Sequence, residues 1–191
     1  MNKIFVISGP SGSGKTTLLN RLIKDPELKG RVVKSVSLTT RPRRSGERQG
    51  RDYFFVSPEE FRLKLKAGKI LERTRYLGYD YATPKEFIRA QLDKAKSLLL
   101  CLDLKGARRI KRFYPKNSVT IFILPPSLKV LQERIKRRGD KTKKEEFLLR
   151  LRQAKKELAV SGEYDYRVLN KNLKTAQARL KKIILKELMV Y

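Results

Sequence analysis

An α/β fold built around a parallel sheet is what this sequence predicts, and three observations carry the prediction. First, Gly9-Pro10-Ser11-Gly12-Ser13-Gly14-Lys15-Thr16 spells G-x-x-x-x-G-K-[ST], a phosphate-binding loop. It stands between a β-branched and aromatic run, Ile4-Phe5-Val6-Ile7, and a stretch with Leu18, Leu19, Leu22 and Ile23 at helical spacing. Second, apolar runs and helical stripes alternate along the chain, the pattern of βα units. Third, Leu98–Leu104 and Val119–Leu124 are almost wholly apolar, as strands covered on both faces are.

The remaining elements follow in order. Val32–Ser37 alternates in part and reads as a strand. Thr39–Asp52 carries Arg41, Arg43, Arg44, Arg48 and Arg51 with almost no apolar residue, so it is a loop. Tyr53–Val56 is a strand. Ser57-Pro58-Glu59-Glu60 opens a helix, with Ser as N-cap, Pro at the first position and Glu closing a capping box. Phe61, Leu65, Ile70 and Leu71 fall on its apolar side, and Gly68 ends it. Thr83-Pro84-Lys85-Glu86 repeats the same start for a helix faced by Phe87, Ile88, Leu92 and Ala95. Gly106–Phe113 is a short helix. Ser127 caps a helix striped by Leu128, Leu131 and Ile135, and Phe147–Leu158 forms another, striped by Leu148, Leu151, Ala154 and Leu158. Tyr166–Leu169 is a last strand, and Leu173–Leu188 a closing helix.

Composition narrows the function. The 191 residues, 40% of them apolar, suffice for one domain with a lobe inserted in it. No apolar run approaches the ~18 residues of a membrane span. The Met1 end reads as a strand rather than a signal peptide. The lone Cys101 excludes an internal disulfide and suits a reducing compartment. A cytoplasmic location without membrane partners is therefore expected. The absence of histidine rules out His-based catalysis and His metal sites. A net charge of +28 reads either as a solvated surface or as an attraction for polyanions. Nucleic acid enters as a partner from charge only, since no RNA- or DNA-reading motif is present.

The phosphate loop carries the chemistry. Glycines let successive backbone N–H groups converge on one anion, and the helix that follows adds the positive end of its dipole. Lys15 reaches the β- and γ-phosphates of a nucleotide, and the Thr16 hydroxyl is placed to ligand Mg²⁺.

Several separated stretches, taken together and in order, resemble the guanylate kinase family from end to end. Gly9–Thr17 matches its phosphate loop. Ser37-Leu38-Thr39-Thr40-Arg41-Pro42-Arg43-Arg44-Ser45-Gly46-Glu47 matches its nucleoside-monophosphate loop. Gly50–Phe55, Ile70-Leu71-Glu72, Tyr81-Ala82-Thr83, Leu102–Gly106, Ile121–Ser127 and Arg134 with Arg137-Arg138-Gly139 complete the set. The resemblance implies a P-loop nucleoside-monophosphate kinase fold with three parts. These are a parallel-sheet core (1–36, 84–126 and 160–191), a small mixed α+β lobe for GMP (about 37–83) and a helical lid (about 127–159). It implies transfer of the γ-phosphoryl of ATP to GMP and to dGMP, with Mg²⁺, within purine nucleotide metabolism.

Roles follow by position. Gly9, Ser11, Gly12, Ser13, Gly14, Lys15, Thr16 and Thr17 resemble the holders of the ATP phosphates, and Asn170 an adenine-side contact. Arg41, Arg44, Tyr53 and Tyr81 resemble the holders of the GMP phosphate. Ser37, Glu72, Thr83 and Asp103 resemble readers of the guanine base. Lys15, Arg41, Arg134, Arg138 and Arg150 are the expected catalytic set. Bidentate arginines suit a phosphate dianion. A carboxylate such as Glu72 accepts from both N1–H and N2–H₂ of guanine and meets only a bare acceptor on adenine.

Three positions depart from the family's pattern. Cys101 stands where a second Asp is usual, two residues before Asp103. Ala82 replaces a Gly between Tyr81 and Thr83. The stretch Asp140–Lys144 is longer and more basic than is typical. Plainer roles stand beside the functional ones: Thr83 as a helix cap, Tyr53 and Tyr81 as packing aromatics, Arg134 and Arg138 as a solvated helix face. Two other functions remain in view, a non-catalytic binding module on the same scaffold and a basic nucleic-acid-binding protein. The oligomeric state, monomer or homodimer, is left open.

Overall fold

The computed structural model describes residues 2–138 and 144–189. Five strands form a parallel sheet in the order β2-β7-β1-β8-β9. They are β1 (Ile4–Ser8), β2 (Val32–Lys34), β7 (Ser97–Cys101), β8 (Ser118–Leu124) and β9 (Tyr166–Leu169). The central strand pairs Ile7 with Cys101 on one side and with Ile121 on the other. Alternation divides the apolar residues between two layers. Phe5, Ile7, Leu99 and Ile121 pack against α1 (Lys15–Leu22) and α7 (Leu173–Met189). Ile4, Val6, Leu98, Leu100 and Phe122 pack against α3 (Lys85–Asp93) and α4 (Leu104–Phe113). Both faces are covered, which is why these strands are apolar at nearly every position.

Residues 37–84 build a second, four-stranded sheet in the order β4-β3-β6-β5. Its members are β3 (Leu38–Thr39), β4 (Phe54–Phe55), β5 (Ile70–Tyr76) and β6 (Tyr79–Pro84), with α2 (Pro58–Lys66) packed on it. The run read as one strand over 32–37 is divided: Val32–Lys34 joins the large sheet, and pairing resumes at Leu38 in the small one. Ile70 and Leu71 belong to β5, not to the apolar side of α2, because the helix stops before Gly68. The β5–β6 hairpin turns through Leu77 (φ 49) and Gly78 (φ 84), both in the left-handed region that a tight primed turn requires.

Two helix starts differ from the sequence reading. Ser57 does accept from the Glu60 N–H at 3.0 Å, but the Glu60 carboxylate pairs with Lys64 at 3.4 Å instead of returning to Ser57. Thr83 is not a cap. It lies inside β6, and α3 begins after Pro84 with no side-chain cap. Asp103 lies beyond β7 rather than in it, and caps α4 by accepting from the Gly106 N–H at 2.9 Å. The cost of a buried, unpaired carboxylate in a strand does not arise there.

The remaining helices are α5 (Leu128–Arg138) and α6 (Lys144–Ala159). Ser127 caps α5 through the Val130 N–H at 3.2 Å. Leu131 and Ile135 bury against Ala154, with Phe147 and Leu158 beside them. Leu128 and Leu148, read as stripe residues, are 42% and 41% exposed. The Arg138 and Lys144 side chains and residues 139–143 lie outside the described residues, so of the basic stretch Asp140–Lys144 only the Lys144 backbone is described. No described helix is long and apolar enough to cross a membrane.

Candidate active site

The loop between β1 and α1 is a backbone cradle. Gly9 sits at φ 138, and a Cβ there would stand 2.5 Å from the Ile123 carbonyl oxygen. Gly14 sits at φ 96, and a Cβ there would collide with the Asn170 side chain. No side chain caps α1, so its first N–H groups are offered to an anion. Lys15 Nζ is turned toward the loop's own carbonyls, donating to Gly9 and, at 2.9 Å, to Pro10. Ser11 is half-buried and Ser13 buried, with Ser13 Oγ lacking a partner among the described residues. Thr16 and Thr17 are exposed on the first turn of α1.

Asn170 supports this cradle from behind. It is 3% exposed, and its Nδ2 donates to the Ser13 carbonyl at 2.7 Å. Its own N–H donates to Leu124 at 2.8 Å. From α5, Leu131, Arg134 and Ile135 would lie 3.3–3.4 Å from a Cβ at Gly12, so this helix is packed on the loop. Arg134 also reaches the Asn170 carbonyl at 3.5 Å.

In the lobe, Arg41 is 7% exposed. Its guanidinium donates to both Glu47 oxygens, at 2.7 and 3.0 Å, and to the Pro42 carbonyl at 2.7 Å. It lies 5.5 Å from the Tyr53 ring centroid and 5.8 Å from that of Phe55. Tyr53 in turn meets Tyr81 edge to face at 5.9 Å. Arg44 is exposed, and its N–H donates to Glu47 at 2.9 Å, so one carboxylate braces both arginines. Burial raises the Glu47 carboxyl, but the bonds from Arg41 and Arg44 outweigh it and hold it below its usual range. Burial, with Cys101 and Tyr81 nearby, pushes the Tyr53 phenol well up. Ser37 is half-buried where the chain enters β3.

The face of the hairpin that looks toward α4 carries two polar pairs. Thr83 Oγ1 donates to Glu72 Oε1 at 2.6 Å, and both residues are buried. Thr74 Oγ1 donates to Asp103 Oδ2 at 2.5 Å. Glu72 Oε2 has no partner among the described residues and lies close to Gly106. Burial pushes the Glu72 carboxyl up to about 7; Thr83 opposes this and the charge of Asp103 adds to it. A buried, partly satisfied carboxylate of this kind is an acceptor waiting for donors.

The two halves meet at the carboxyl end of the large sheet. Tyr53 is a neighbour of Cys101, which pairs in register with Ile7, two residues before Gly9. Ser8 Oγ donates to the Leu102 carbonyl at 2.6 Å, joining the loop's entry to the segment that ends in Asp103. Tyr76, at the hairpin tip, is near Ser11 of the loop and Arg150 and Glu157 of α6. Burial raises the Glu157 carboxyl, and Lys15 opposes the rise. Arg150 is 8% exposed and pairs with Glu146, while its Nε has no partner among the described residues. A shallow cavity lined by Arg108, Lys111, Glu163 and Tyr164 lies on the other side of α4, and the ion pairs Arg108–Glu163 and Lys111–Asp165 border it.

A family model described as guanylate kinase matches residues 1–187. The chain belongs to the guanylate kinase family. It is 40% identical over 185 residues to the guanylate kinase of Thermotoga maritima, covering 97% of this chain and 87% of that one. It is 40% identical over 182 residues to that of Synechocystis sp., covering 95% and 93%. The crystal structure of guanylate kinase from Anaplasma phagocytophilum superposes with a TM-score of 0.82 at 33% identity, covering 99% of this chain and 87% of that one. The chain is a nucleotide-binding kinase of that family, whose function is the phosphorylation of GMP by ATP.

Against the family pattern, Ala82 is accommodated: it is fully buried in the lobe's own apolar cluster. Cys101 is exposed. In the sequence, Thr74, Tyr76 and Glu157 carry no assigned role, and Glu47 none beyond its place in the monophosphate-loop match. Strand alternation from Glu72 would have placed Thr74 on the same face. Tyr76 and Glu157 carried no local signal.

Proposed function

We propose that the enzyme moves the γ-phosphoryl of ATP onto GMP and dGMP in a cleft between the loop at 9–16 and the lobe at 37–83, closed by residues 127–159. The observation that carries this reading is the pair of bonds at one end of the sheet, from Thr74 of the lobe to Asp103 and from Ser8, at the loop's entry, to the Leu102 carbonyl; it supports a shared cleft for the Arg41 group and the Gly9–Thr16 loop.

The loop amides and Lys15 hold the triphosphate, with Ser11, Ser13 and Thr17 hydroxyls around it. Lys15 leaves the Gly9 and Pro10 carbonyls for the phosphates, a stronger charge-assisted partner. Arg41, Arg44, Tyr53 and Tyr81 hold the monophosphate, the acceptor dianion that must be brought against a polyanion. Glu72, with Thr83, Ser37 and Asp103, reads the guanine edge; Glu72 Oε2 lacks a partner and so has room for a donor. A site of paired polar groups rejects adenine by ~10⁴ or more, because the wrong base leaves buried groups unmatched.

Phosphoryl transfer needs in-line placement and charge neutralisation more than a strong base. Arg134, Arg138 and Arg150 supply positive charge as the lid closes and excludes water. Asn170 serves first to pin the loop at Ser13, and its adenine-side contact is made from that position.

The residues fit Mg²⁺ carried by a nucleotide. Among those described, no cluster of three or more His, Cys, Asp or Glu could hold a metal alone. Thr16 offers one hard oxygen at the start of α1, and phosphates and water complete such a shell. When bound, the ion neutralises charge on the β- and γ-phosphates. A cytoplasmic location agrees with the lone, exposed Cys101.

The test is a substrate panel with ATP, Mg²⁺ and each of GMP, dGMP, AMP, CMP and UMP. ADP formation confined to GMP and dGMP is expected. Equal rates with AMP would remove the base-reading assignment, and no turnover with GMP would remove the catalytic one.

A further inference from the structure

We infer that Thr74 is a positioning residue for base recognition: its hydroxyl, reaching from β5 of the lobe, ties Asp103 of the core into the orientation that receives the guanine edge. The inference rests on the base-reading role proposed above for Asp103 and Glu72.

Thr74 follows Glu72 by two residues, so both side chains leave the same face of β5. Opposite them on β6 stand Thr83 and Tyr81. Arg73 and Arg75, on the other face, are exposed. The inner face therefore presents Glu72 and Thr74 side by side to the first turn of α4. Glu72 Oε2 lies beside Gly106, where a Cβ would stand 3.1 Å from it. One period further along, Thr74 Oγ1 meets Asp103 Oδ2 at 2.5 Å.

Asp103 is then held at both oxygens. Oδ1 accepts from the Gly106 N–H at 2.9 Å, and Oδ2 accepts from Thr74. A carboxylate has about four acceptor directions. Two are used here, and the other two are aimed by the fixed plane of the group. With the N-cap bond alone, the terminal torsion of an Asp is broad and nearly two-fold, and the plane would turn. The bond also crosses the boundary between lobe and core, so it sets where the Glu72 carboxylate stands relative to Asp103.

A purely local role for Thr74 is also possible in a strand, since β-branched residues fit there. The two roles predict opposite results for valine, which keeps the shape and loses the hydroxyl. The experiment compares the full-length parent, Thr74→Val and Thr74→Ser in steady-state kinetics with GMP and with AMP, alongside thermal melting. Thr74→Val is expected to raise the KM for GMP about tenfold, a loss of ~1.4 kcal/mol, with kcat within about twofold of the parent. It is expected to narrow the preference for GMP over AMP by a similar factor. Thr74→Ser, which keeps the donor, is expected to return both to within about threefold of the parent. Parental KM and preference in Thr74→Val overturn the inference, as does a serine variant impaired as badly as the valine one. A parent that does not turn over GMP removes the base-reading role and the inference with it. Parental turnover with an unaltered Thr74→Val enzyme removes the inference alone.

Discussion

The loop at residues 9–16 rests on a sheet packed on both faces, where Phe5, Ile7, Leu18 and Leu99 are all 0% exposed. The lobe at 37–83 has four buried apolar residues of its own: Leu38, Phe61, Ile70 and Ala82. The polar groups differ in the same way. The loop presents backbone amides whose directions are set by glycine dihedrals and by Asn170 behind them. The lobe presents side chains that already hold one another, Arg41 with Glu47 and Thr83 with Glu72, and Thr74 reaches across to Asp103 of the core. A backbone cradle on a large core is rigid before its ligand arrives. Side-chain pairs on a small core are held in place and can exchange partners when a ligand enters. With so small an apolar cluster, the lobe is expected to open more readily than the core.

Substitutions on each side should separate these two designs. Removing the charged side chain that the cradle contributes, in Lys15→Ala, should lower kcat by about 10³ or more while the KM for GMP changes by less than about threefold. Equal changes in both constants would mean that Lys15 binds substrate rather than stabilising transfer. On the lobe side, Arg41→Ala should raise the KM for GMP on the order of 100-fold and leave the KM for ATP near the parent's. Arg41→Lys should recover only part of this, because an ammonium cannot reproduce the planar fork that now holds Glu47.

Glu72→Gln should narrow the preference for GMP over AMP by about tenfold. It also carries a pH signature. The Glu72 carboxyl is pushed up from 4.5 to about 7 by burial. Only the ionised form accepts from both guanine donors, so kcat/KM for GMP should climb as pH rises through about 7. The GMP phosphate itself titrates near pH ~6, so the limb to compare is the one that Glu72→Gln loses. Stability runs the other way. A carboxyl whose folded pKa lies above its unfolded one keeps its proton longer in the folded state. The parent should therefore lose stability relative to Glu72→Gln as pH rises from 4.5 to about 7, and level off above. Denaturant titrations at pH ~5 and ~8 should differ by no more than about 3 kcal/mol between the two proteins.

The smallest effect on chemistry should come from Phe61→Ala. It removes the largest side chain of the lobe cluster, and the local cost is about 3 kcal/mol. Amide exchange in β3, β5 and β6 should speed up while that of β1 and β8 stays parental. Uniform acceleration across both sheets would show that lobe and core open as one unit.

Much of the large sheet could be read in advance because its strands bury both faces and its helices one. The runs at 4–7, 98–101 and 119–124 announce themselves by composition alone. Reading failed where a residue has a local use and a distant one. Thr83-Pro84 looks like a cap, yet the Thr83 hydroxyl points across the hairpin to Glu72. Asp103 falls within the run 98–104 that reads as a strand, yet it is a helix cap as well as a neighbour of Thr74. Ile70 and Leu71 continue the apolar spacing of α2, but the chain turns at Gly68 and they enter β5. In the site, the loop residues and the Arg41–Glu47 segment are contiguous and stood out as motifs. The partners that brace them are not.

The order of residues along the chain was enough to determine the phosphate cradle, since its glycines, lysine and helix start act through dihedrals and dipoles spanning a few neighbouring positions. It was enough, too, for the two apolar layers, because burial leaves a periodic imprint. Only the folded molecule decided that Asn170 would back the loop at Ser13, 157 positions away, and that Thr74 would reach Asp103 across 29. A single hydroxyl or amide leaves no periodicity to read. Its partner is chosen by where two separately built sheets come to rest against each other.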